Sequence, residues 1–338
     1  MAAFIWLFAR QVDDWNAVVA ALKASNHLYI ALAVLIICFG YFLRAIRWQV
    51  LLEPITPSSL RELFATTTVG FAAVFLVGRA GEIVRPMWLP MRDPRVRPSA
   101  ALVTLGVERI FDLAAIVAFF AFNLIWFAPP SGREREFELV SQVGIVMLVA
   151  MLIGFAMLYI YYVRSGPIVS WTEKFLDRPL VPKRLAALLI SIMRQLAAAL
   201  GVLTNWRETL LVILWTFLLW VSVALPTWLV LLAFDTSLTL SDSLFIMGFA
   251  SVSSVVPTPG GAAGAFHAAT SQSLIMLGRS DDKAAAIAIV MHLVYFAPAI
   301  FFGLYYFFHG DISIERFKSL LSSEHAVEEI ESEAPNPR

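Results

Sequence analysis

Uninterrupted apolar runs dominate this sequence, and each is about as long as the hydrocarbon core of a bilayer is thick. A helix of about 20 apolar residues crosses a core of about 30 Å. Only 15% of the 338 residues are charged and 59% are hydrophobic, so too few polar side chains remain to cover a water-facing surface. We therefore predict an all-α integral membrane protein, a polytopic helical bundle. Its clearest spans cover residues 28–46, 100–127, 139–162, 210–234 and 284–308.

The charge balance and the absence of several motifs argue against other classes of function. The formal net charge is zero, which argues against a nucleic-acid partner. Cys38 is the only cysteine, so we expect neither a disulfide within the chain nor a cysteine-based metal site. The sequence contains no phosphate-binding loop of the ATPase type, no Gly-x-Ser-x-Gly and no His-Glu-x-x-His. We expect no cofactor.

Two further apolar segments are interrupted, and they resemble each other. Residues 60–89 contain Gly-Arg-Ala-Gly-Glu, and residues 244–277 contain Pro-Thr-Pro-Gly-Gly. Gly-Phe-Ala-Ala-Val at 70–74 precedes the first interruption, and Gly-Phe-Ala-Ser-Val at 248–252 precedes the second. Broken helices persist in a membrane only where protein or a cavity satisfies their backbone, and paired broken segments indicate a transporter's substrate site. The alternative is chance similarity between common membrane-helix strings.

The basic residues assign the loops to the two sides of the membrane. They concentrate in three regions: residues 44–61, 85–97 and 164–207. An excess of arginine and lysine marks cytoplasmic loops, whereas residues 235–243 have none. This assignment requires both broken segments to be re-entrant hairpins from opposite sides, which would form an inverted repeat. We predict an inner-membrane protein with a cytoplasmic C-terminus, in which Arg44, Arg47 and Trp48 are interfacial anchors.

The second interruption has the backbone chemistry of an anion site. Pro257 and Pro259 lack N–H groups, whereas Gly260 and Gly261 allow a sharp turn and a close backbone approach. The helix that restarts after them directs free N–H groups and its positive dipole end into the break, which suits a lipid phosphate. His267 is a further candidate on this helix. The alternative is a packing break, with His267 as a satisfied packing residue.

The first interruption provides charge. Arg79, Glu82 and Arg85 follow one another at intervals of three residues, so on a helix one carboxylate would have a guanidinium on each side. Arginine binds phosphate through two parallel hydrogen bonds, and one positive charge remains for an anionic headgroup. The alternative is an interfacial ion-pair cluster that ends a re-entrant helix.

Three charged residues lie near the start of the span at 100–127. Glu108, Arg109 and Asp112 would be costly against lipid, so they are predicted to face the bundle interior. Arg79 or Arg85 is the obvious partner for a carboxylate there. The alternative is a structural ion pair that joins two helices.

Four motifs, in this order, resemble one family. They are Arg44-x-x-Arg47-Trp48, the stretch Val77 to Pro86, Glu108-Arg109-Ile110-Phe111-Asp112-Leu113, and Pro257 to Gly261. Between about residues 10 and 308 the sequence resembles the lysylphosphatidylglycerol synthase transmembrane-region family, also called flippase-like domain proteins. The resemblance implies a flippase-like membrane domain over residues 1–310. The polar, acidic composition of residues 311–338 predicts a disordered or loosely helical cytoplasmic tail. His267 is a departure, because relatives are expected to have a carboxylate there.

The resemblance also implies a function. Bifunctional members of the family use this domain to move an aminoacylated phospholipid across the bilayer, and a separate soluble domain makes that lipid. We expect no synthase activity here, and we predict a lipid flippase or transporter rather than an enzyme. Its partner would be a membrane phospholipid, glycolipid or isoprenoid-type lipid. The predicted headgroup-binding residues are Arg79, Glu82, Arg85, Glu108, Arg109, Asp112, Gly260, Gly261 and His267.

Two alternative functions follow from the same residues. One is a membrane-embedded enzyme that acts on a lipid-linked sugar, with Glu108 or Asp112 as the base. The other is an accessory scaffold for a lipid-modifying enzyme. An enzyme needs a carboxylate that is available to a nucleophile, whereas the charges of a scaffold would satisfy one another.

Overall fold

A computed structural model describes residues 14–127, 132, 134–176, 183–200, 206–253, 260 and 262–310. These residues contain α-helices, one 3₁₀ turn (Gly78–Ile83) and no strand. Predictions for residues 1–13 and for the tail at 311–338 fall outside this part of the chain. The helices are α1 (Trp15–Ala24), α2 (His27–Leu52), α3 (Leu60–Val77), α4 (Val84–Arg92), α5 (Pro98–Trp126), α6 (Glu134–Val163), α7 (Ser165–Leu176), α8 (Lys183–Leu200), α9 (Trp206–Ala233), α10 (Leu240–Ser253), α11 (Ala263–Met276) and α12 (Asp281–Phe308).

The helices have the length and composition of a multi-pass membrane protein. Five are long and apolar enough to cross a bilayer: α2, α3, most of α6 (Phe137–Val163), α9 and α12. The 29 residues of α5 give it a length of about 44 Å, and it carries the predicted charges. Large apolar side chains such as Phe217 and Phe301 are exposed on the outside, where a bilayer would cover them. The prediction of an all-α polytopic membrane protein is confirmed.

The first broken segment is a hairpin whose two ends lie at the same level. It consists of α3, the 3₁₀ turn and α4. Glu62 in the first turn of α3 forms an ion pair with Arg92 at the end of α4, and Ser58 Oγ donates to Asp93 Oδ2 at 2.9 Å. The nine residues of α4 extend only about 14 Å. Although α3 alone could cross a bilayer, the chain therefore returns to the end where it entered.

The second broken segment is a hairpin of α10 and α11, which pack against each other. Each has 14 residues and extends about 21 Å, less than the core of a bilayer. Ala250 near the end of α10 and Phe266 in the first turn of α11 line the same cavity, so the chain turns back between the two helices. Gly260 between the two helices donates its N–H to Phe75 O at 2.6 Å. The two hairpins thus meet inside the bundle.

The two halves of the bundle have matching neighbours. Helices α2, α3, α4 and α5 of the first half correspond in order to α9, α10, α11 and α12 of the second half. In each half the first helix of the hairpin packs on the last helix of the other half: α3 on α12, and α10 on α5. The second helix of each hairpin packs on the last helix of its own half: α4 on α5, and α11 on α12. Helices α2 and α9 pack against each other and run antiparallel, because Asn26 N–H donates to Ala233 O at 2.7 Å while Arg47 Nη1 donates to Thr216 Oγ1 at 3.2 Å. Two corresponding helices that run in opposite directions make the repeat an inverted one.

The two repeated strings are separated by an interval that can be compared with the contacts between α2 and α9. Gly248 follows Gly70 by 178 positions, and Trp220 of α9 follows Phe42 of α2 by the same interval. Gly40, two residues before Phe42, lies against Ser222, two residues after Trp220. The spacing of the strings is therefore compatible with the inverted repeat.

The two ends of the bundle carry different loops. Trp88 of α4 stacks on Phe307 of α12 with ring centroids 5.6 Å apart, so the end of α12 and the basic loop after α4 share one end, which we call the basic end. At the opposite end, which we call the distal end, Asn123 Nδ2 donates to Ser241 O at 2.9 Å. That the basic end faces the cytoplasm, as the positive-inside rule predicts, stays a prediction.

This arrangement predicts which cysteines can be labelled from the same side of the membrane. After Cys38 is replaced with serine, we expect Arg95→Cys and His309→Cys to react with an impermeant maleimide from one side and Ser237→Cys from the other, because the first two lie at the basic end. Labelling of intact cells and of inverted vesicles measures this. Reaction of positions 95 and 309 from opposite sides would contradict the re-entrant second hairpin, because a hairpin that crossed the membrane would reverse the direction of α12.

Candidate functional site

The structure corrects the interpretation of Arg44, Arg47 and Trp48 as interfacial anchors. Helix α2 continues to Leu52, so all three residues lie one to two turns inside it. Arg47 and Trp48 are fully buried, and the Arg44 side chain is 14% exposed. A guanidinium buried in a membrane protein needs partners. These arginines therefore belong to an internal charge cluster rather than to the membrane surface.

Glu108 of α5 is fully buried at the centre of this cluster. Arg85 of α4 donates from Nη1 to Glu108 Oε1 at 2.8 Å and from Nη2 to Oε2 at 3.2 Å, which is the bidentate geometry of a strong pair. Arg47 Nη2 lies 3.5 Å from Glu108 Oε1. One carboxylate thus joins α2, α4 and α5.

Asp112 lies one helical turn further along α5 and is also buried. Its Oδ1 accepts from Arg47 Nη1 at 2.7 Å and from Trp220 Nε1 at 3.3 Å. Its Oδ2 accepts from Arg109 Nη1 at 3.4 Å, and Arg44 Nη1 lies 4.0 Å from the same oxygen. Through Trp220 this second carboxylate also connects α5 to α9, in the other half of the repeat.

The cluster contains more positive than negative charge. We call it the arginine cluster: Arg44, Arg47, Arg85, Arg109, Glu108 and Asp112. All four carboxylate oxygens accept hydrogen bonds from cluster arginines, yet four guanidiniums face two carboxylates among the described residues. Uncompensated charge is costly away from water, so the excess of two positive charges favours the approach of an anion.

Two glycines of the repeated string make the packing around this site possible. A Cβ on Gly70 would lie 2.2 Å from Arg85 Cγ, so only glycine lets the Arg85 side chain pass α3 on its way to Glu108. Arg85 Cζ then lies 4.4 Å from the ring centroid of Trp48, within cation–π distance. In the second half, a Cβ on Gly248 would lie 2.4 Å from Phe120. Both glycines therefore allow a close approach.

A cavity of about 170 Å³ lies beside the cluster, where α2 crosses α9. We call it the central cavity. Arg44 and Trp220 line it and also face Asp112, so they join the cavity to the cluster. The other walls are mainly aliphatic and aromatic and include Tyr41 and Tyr295, and none of the described lining residues is acidic. An apolar cavity of about 150 Å³ can hold benzene, so a small headgroup has room here.

Four of the predicted site residues meet in the arginine cluster: Arg85, Glu108, Arg109 and Asp112. The prediction that Glu108 and Asp112 face the bundle interior is confirmed by their burial. Glu82 is half-buried in the 3₁₀ turn, and the backbone of Arg79 lies in the same turn. The side chain of Arg79 and the whole of Gly261 fall outside the described part of the chain.

His267 and Gly260 belong to the second hairpin and are not members of the cluster. The His267 ring on α11 lies 4.8 Å from the ring of His292 on α12, centroid to centroid. Its neighbour Phe266 lines the central cavity. Gly260 contacts Phe75 of α3 through its backbone.

The sequence interpretation missed Arg44, Arg47 and Trp220 as members or partners of this site. A signal for the two arginines existed: they are one turn apart on α2, just as Glu108 and Asp112 are one turn apart on α5, and the helix continues beyond them. Residues one turn apart lie on the same face of a helix, so two arginines on one helix can face two carboxylates on another. No comparable signal marks Trp220.

Gly260 should tolerate alanine poorly because its φ is +76°. A left-handed backbone costs an L-residue roughly 1–2 kcal/mol, and we expect Gly260→Ala to lower the free energy of unfolding by about that amount. Ala262, with φ +60°, is the matched control, and Ala262→Gly should stabilise the protein by up to about 1 kcal/mol. Thermal unfolding of the purified variants measures both effects, and shifts in the same direction would contradict the argument.

A comparison with protein families now decides the relationship. The profile of the lysylphosphatidylglycerol synthase TM region matches residues 1–303. The chain belongs to this family. A comparison with curated proteins gives no match. Membership associates this multi-pass membrane protein with membrane lipids.

Three of the four motifs that resemble the lysylphosphatidylglycerol synthase TM-region family meet in the arginine cluster. Helix α2 contributes Arg44 and Arg47, α4 contributes Arg85, and α5 contributes Glu108 and Asp112. Motifs that are distant in sequence thus form one buried site in this member of the family.

Proposed function

We propose that this member of the lysylphosphatidylglycerol synthase TM-region family moves an anionic or glycosylated lipid between the leaflets of the inner membrane, without hydrolysing ATP. The observation that carries the proposal is the pair of excess positive charges beside the central cavity. The headgroup would occupy the cavity near Arg44, and the hydrocarbon chains would remain in the bilayer.

The position of the cavity supports transport. It lies where corresponding helices of the two inverted halves cross, and residues of α3, α10 and α11 from both hairpins line it. In transporters built from inverted repeats, the substrate site lies at the repeat interface, and movement of one half against the other opens it to alternate sides. A site between two inverted hairpins suits a lipid headgroup that has to leave on either side.

The two alternative functions receive less support. A membrane-embedded enzyme with Glu108 or Asp112 as base would need an available carboxylate oxygen, but every oxygen of both residues accepts from an arginine. We therefore propose that the chain is not an enzyme of that kind. A scaffold would have balanced charges, whereas the arginine cluster has four cations against two anions among the described residues.

The proposal predicts that Arg44→Lys slows lipid movement by about tenfold. Lysine keeps the positive charge but loses the planar guanidinium that binds a phosphate through two hydrogen bonds. A hydrogen bond to a charged group contributes about 1.5–3 kcal/mol, and each 1.4 kcal/mol corresponds to a factor of about ten. The measurement uses proteoliposomes with fluorescent phosphatidylglycerol, a fluorescent glycolipid or fluorescent phosphatidylcholine, quenched from outside by an impermeant reductant.

Arg95→Lys is the control for this experiment, because the side chain of Arg95 is 68% exposed in the loop after α4. It should behave as the unsubstituted protein does. Unchanged movement of every lipid by Arg44→Lys would contradict a headgroup site at Arg44, and so would equal movement with and without the protein.

A further inference from the structure

We propose that the interface between α5 and α6 binds the hydrocarbon chain of an anionic lipid whose headgroup lies at Arg109. This inference rests on the proposed function, since the bound lipid would be the one that is moved. It assigns a role to α6, which has no corresponding helix in the second half among the described residues.

Two adjoining grooves follow this interface. The first has a volume of about 610 Å³ and lies between residues 110–117 of α5 and residues 147–161 of α6. The second has a volume of about 460 Å³ and lies between residues 118–125 and residues 141–148. We call the two together the α5–α6 groove. Along α5 it covers 15 helical steps, or about 23 Å.

The lining of the groove is suited to hydrocarbon. Its only polar side chains among the described lining residues are Tyr161 at one end and Ser141 at the other. Three methionines, at 147, 151 and 157, line the first part. Methionine is flexible and polarizable, and it adapts to irregular apolar partners. A flexible alkyl or isoprenyl chain is such a partner.

The end of the groove nearest the arginine cluster provides the charge for a headgroup. Arg109 directly precedes Ile110, the first residue of α5 in the groove. Its side chain is 39% exposed, compared with 3% or less for those of Arg47 and Arg85. Arg109 shares Asp112 with Arg47, so it is the cluster arginine with most access to a lipid phosphate.

The length and direction of the groove define the lipid further. Helix α5 begins at the basic end, so a chain that starts at Arg109 runs away from that end towards the distal end. One leaflet contributes about half of a core of about 30 Å. A groove of about 23 Å therefore accommodates a chain that extends past the bilayer midplane from a headgroup drawn in from the basic end.

The packing of α6 leaves the groove open without detaching the helix. Phe155 of α6 and Phe111 of α5 lie edge to face at 6.2 Å, and Tyr161 Oη donates to Met193 O of α8 at 2.7 Å. A Cβ on Gly144 would lie 2.7 Å from Leu124, so the helices touch there. A Cβ on Gly154, by contrast, would meet nothing within 4 Å.

Gly154→Phe tests the inference because it fills the groove from an open position. The probes are phosphatidylglycerol and a polyprenyl phosphate, each with a diazirine on its chain, reconstituted with the full chain and photolysed. We expect cross-links to concentrate on residues 110–125 and 141–161, and Gly154→Phe to reduce them at least threefold. Val149→Phe, at a position that is 49% exposed and outside the groove lining, should leave them unchanged. Whichever probe labels the groove identifies the lipid as a glycerophospholipid or an isoprenoid.

The inference would be overturned if both probes label the groove no more than the exposed face of α9 and if this labelling persists in Gly154→Phe. Such cross-links would report the surrounding bilayer lipid. If Arg44→Lys still slows lipid movement in that case, only the groove assignment fails. Specific groove labelling together with normal movement by Arg44→Lys would instead contradict the headgroup site in the proposed function.

Discussion

Glu108→Gln is expected to lower the free energy of unfolding by about 3–5 kcal/mol, the usual effect of removing one partner from a buried ion pair. Glu108 is fully buried, and both of its oxygens accept from Arg85. Without its charge, Arg85 loses its bidentate partner and Arg47 loses one of its two carboxylates. Four guanidiniums would then face a single carboxylate in the described part of the cluster.

Thermal and denaturant unfolding in one detergent measure this effect, together with the amount of protein in the membrane. Arg109→Gln is the matched control on the same helix. The side chain of Arg109 is 39% exposed, and its guanidinium lies 3.4 Å from the carboxylate of Asp112. Because such an exposed pair is weak, Arg109→Gln should lower the free energy of unfolding by no more than about 1 kcal/mol. The double variant Glu108→Gln, Arg85→Gln should recover part of the lost stability, because it no longer contains the unpaired guanidinium. Equal stabilities of Glu108→Gln and Arg109→Gln would contradict this account of the cluster.

Gly81→Ala is expected to lower the free energy of unfolding by about 3 kcal/mol, which is at the upper end of the effects of overpacking. Gly81 lies in the 3₁₀ turn of the first hairpin, and a Cβ there would be 2.4 Å from the backbone of Ala73 and Val74 in α3. A flexible side chain could move aside, but the backbone of a packed helix cannot. The turn would have to separate from α3, and Arg85, two residues after the turn, would shift with respect to Glu108.

Gly106→Ala is the control for this second substitution. A Cβ on Gly106 meets nothing within 4 Å, and alanine is a better helix former than glycine by up to about 1 kcal/mol. We therefore expect Gly106→Ala to be neutral or stabilising, whereas Gly81→Ala should reduce both stability and lipid movement. The measurements are unfolding in detergent and the fluorescent-lipid assay. A Gly81→Ala protein as stable as the Gly106→Ala protein would show that the turn is not held against α3.

The first hairpin, which contains Gly81, and the arginine cluster around Glu108 are joined by ion pairs. Arg85 extends from the first hairpin to Glu108 on α5, and Arg47 bridges Glu108 and Asp112 from α2. The hairpin is thereby held to helices that would move relative to one another in the proposed transport. The ion pairs fix one arrangement of these helices, and an anionic headgroup that competes for Arg44 or Arg109 would change the charge balance that stabilises it.

The sequence by itself determined the fold class, the two broken segments and four of the six charged residues in the arginine cluster. Long apolar runs can fold in few ways, because a segment that crosses a membrane must form all of its backbone hydrogen bonds internally, as a helix does. The Gly-Phe-Ala strings and the basic loops were sufficient to predict two hairpins from opposite sides. Glu108 and Asp112 were predicted to face inward because a charged side chain on a lipid-facing surface is costly.

Only the tertiary structure decided which charges meet. The sequence interpretation placed Arg47 at the membrane surface, because an arginine near the end of an apolar run normally lies there. Its burial depends on α9, more than 160 positions away, which packs antiparallel to α2 and supplies Thr216 beside Arg47. Likewise, Arg85 reaches Glu108 only because Gly70 leaves space for its side chain. Periodicity and composition describe one helix at a time, whereas a charge cluster depends on distances between helices, which local sequence does not specify.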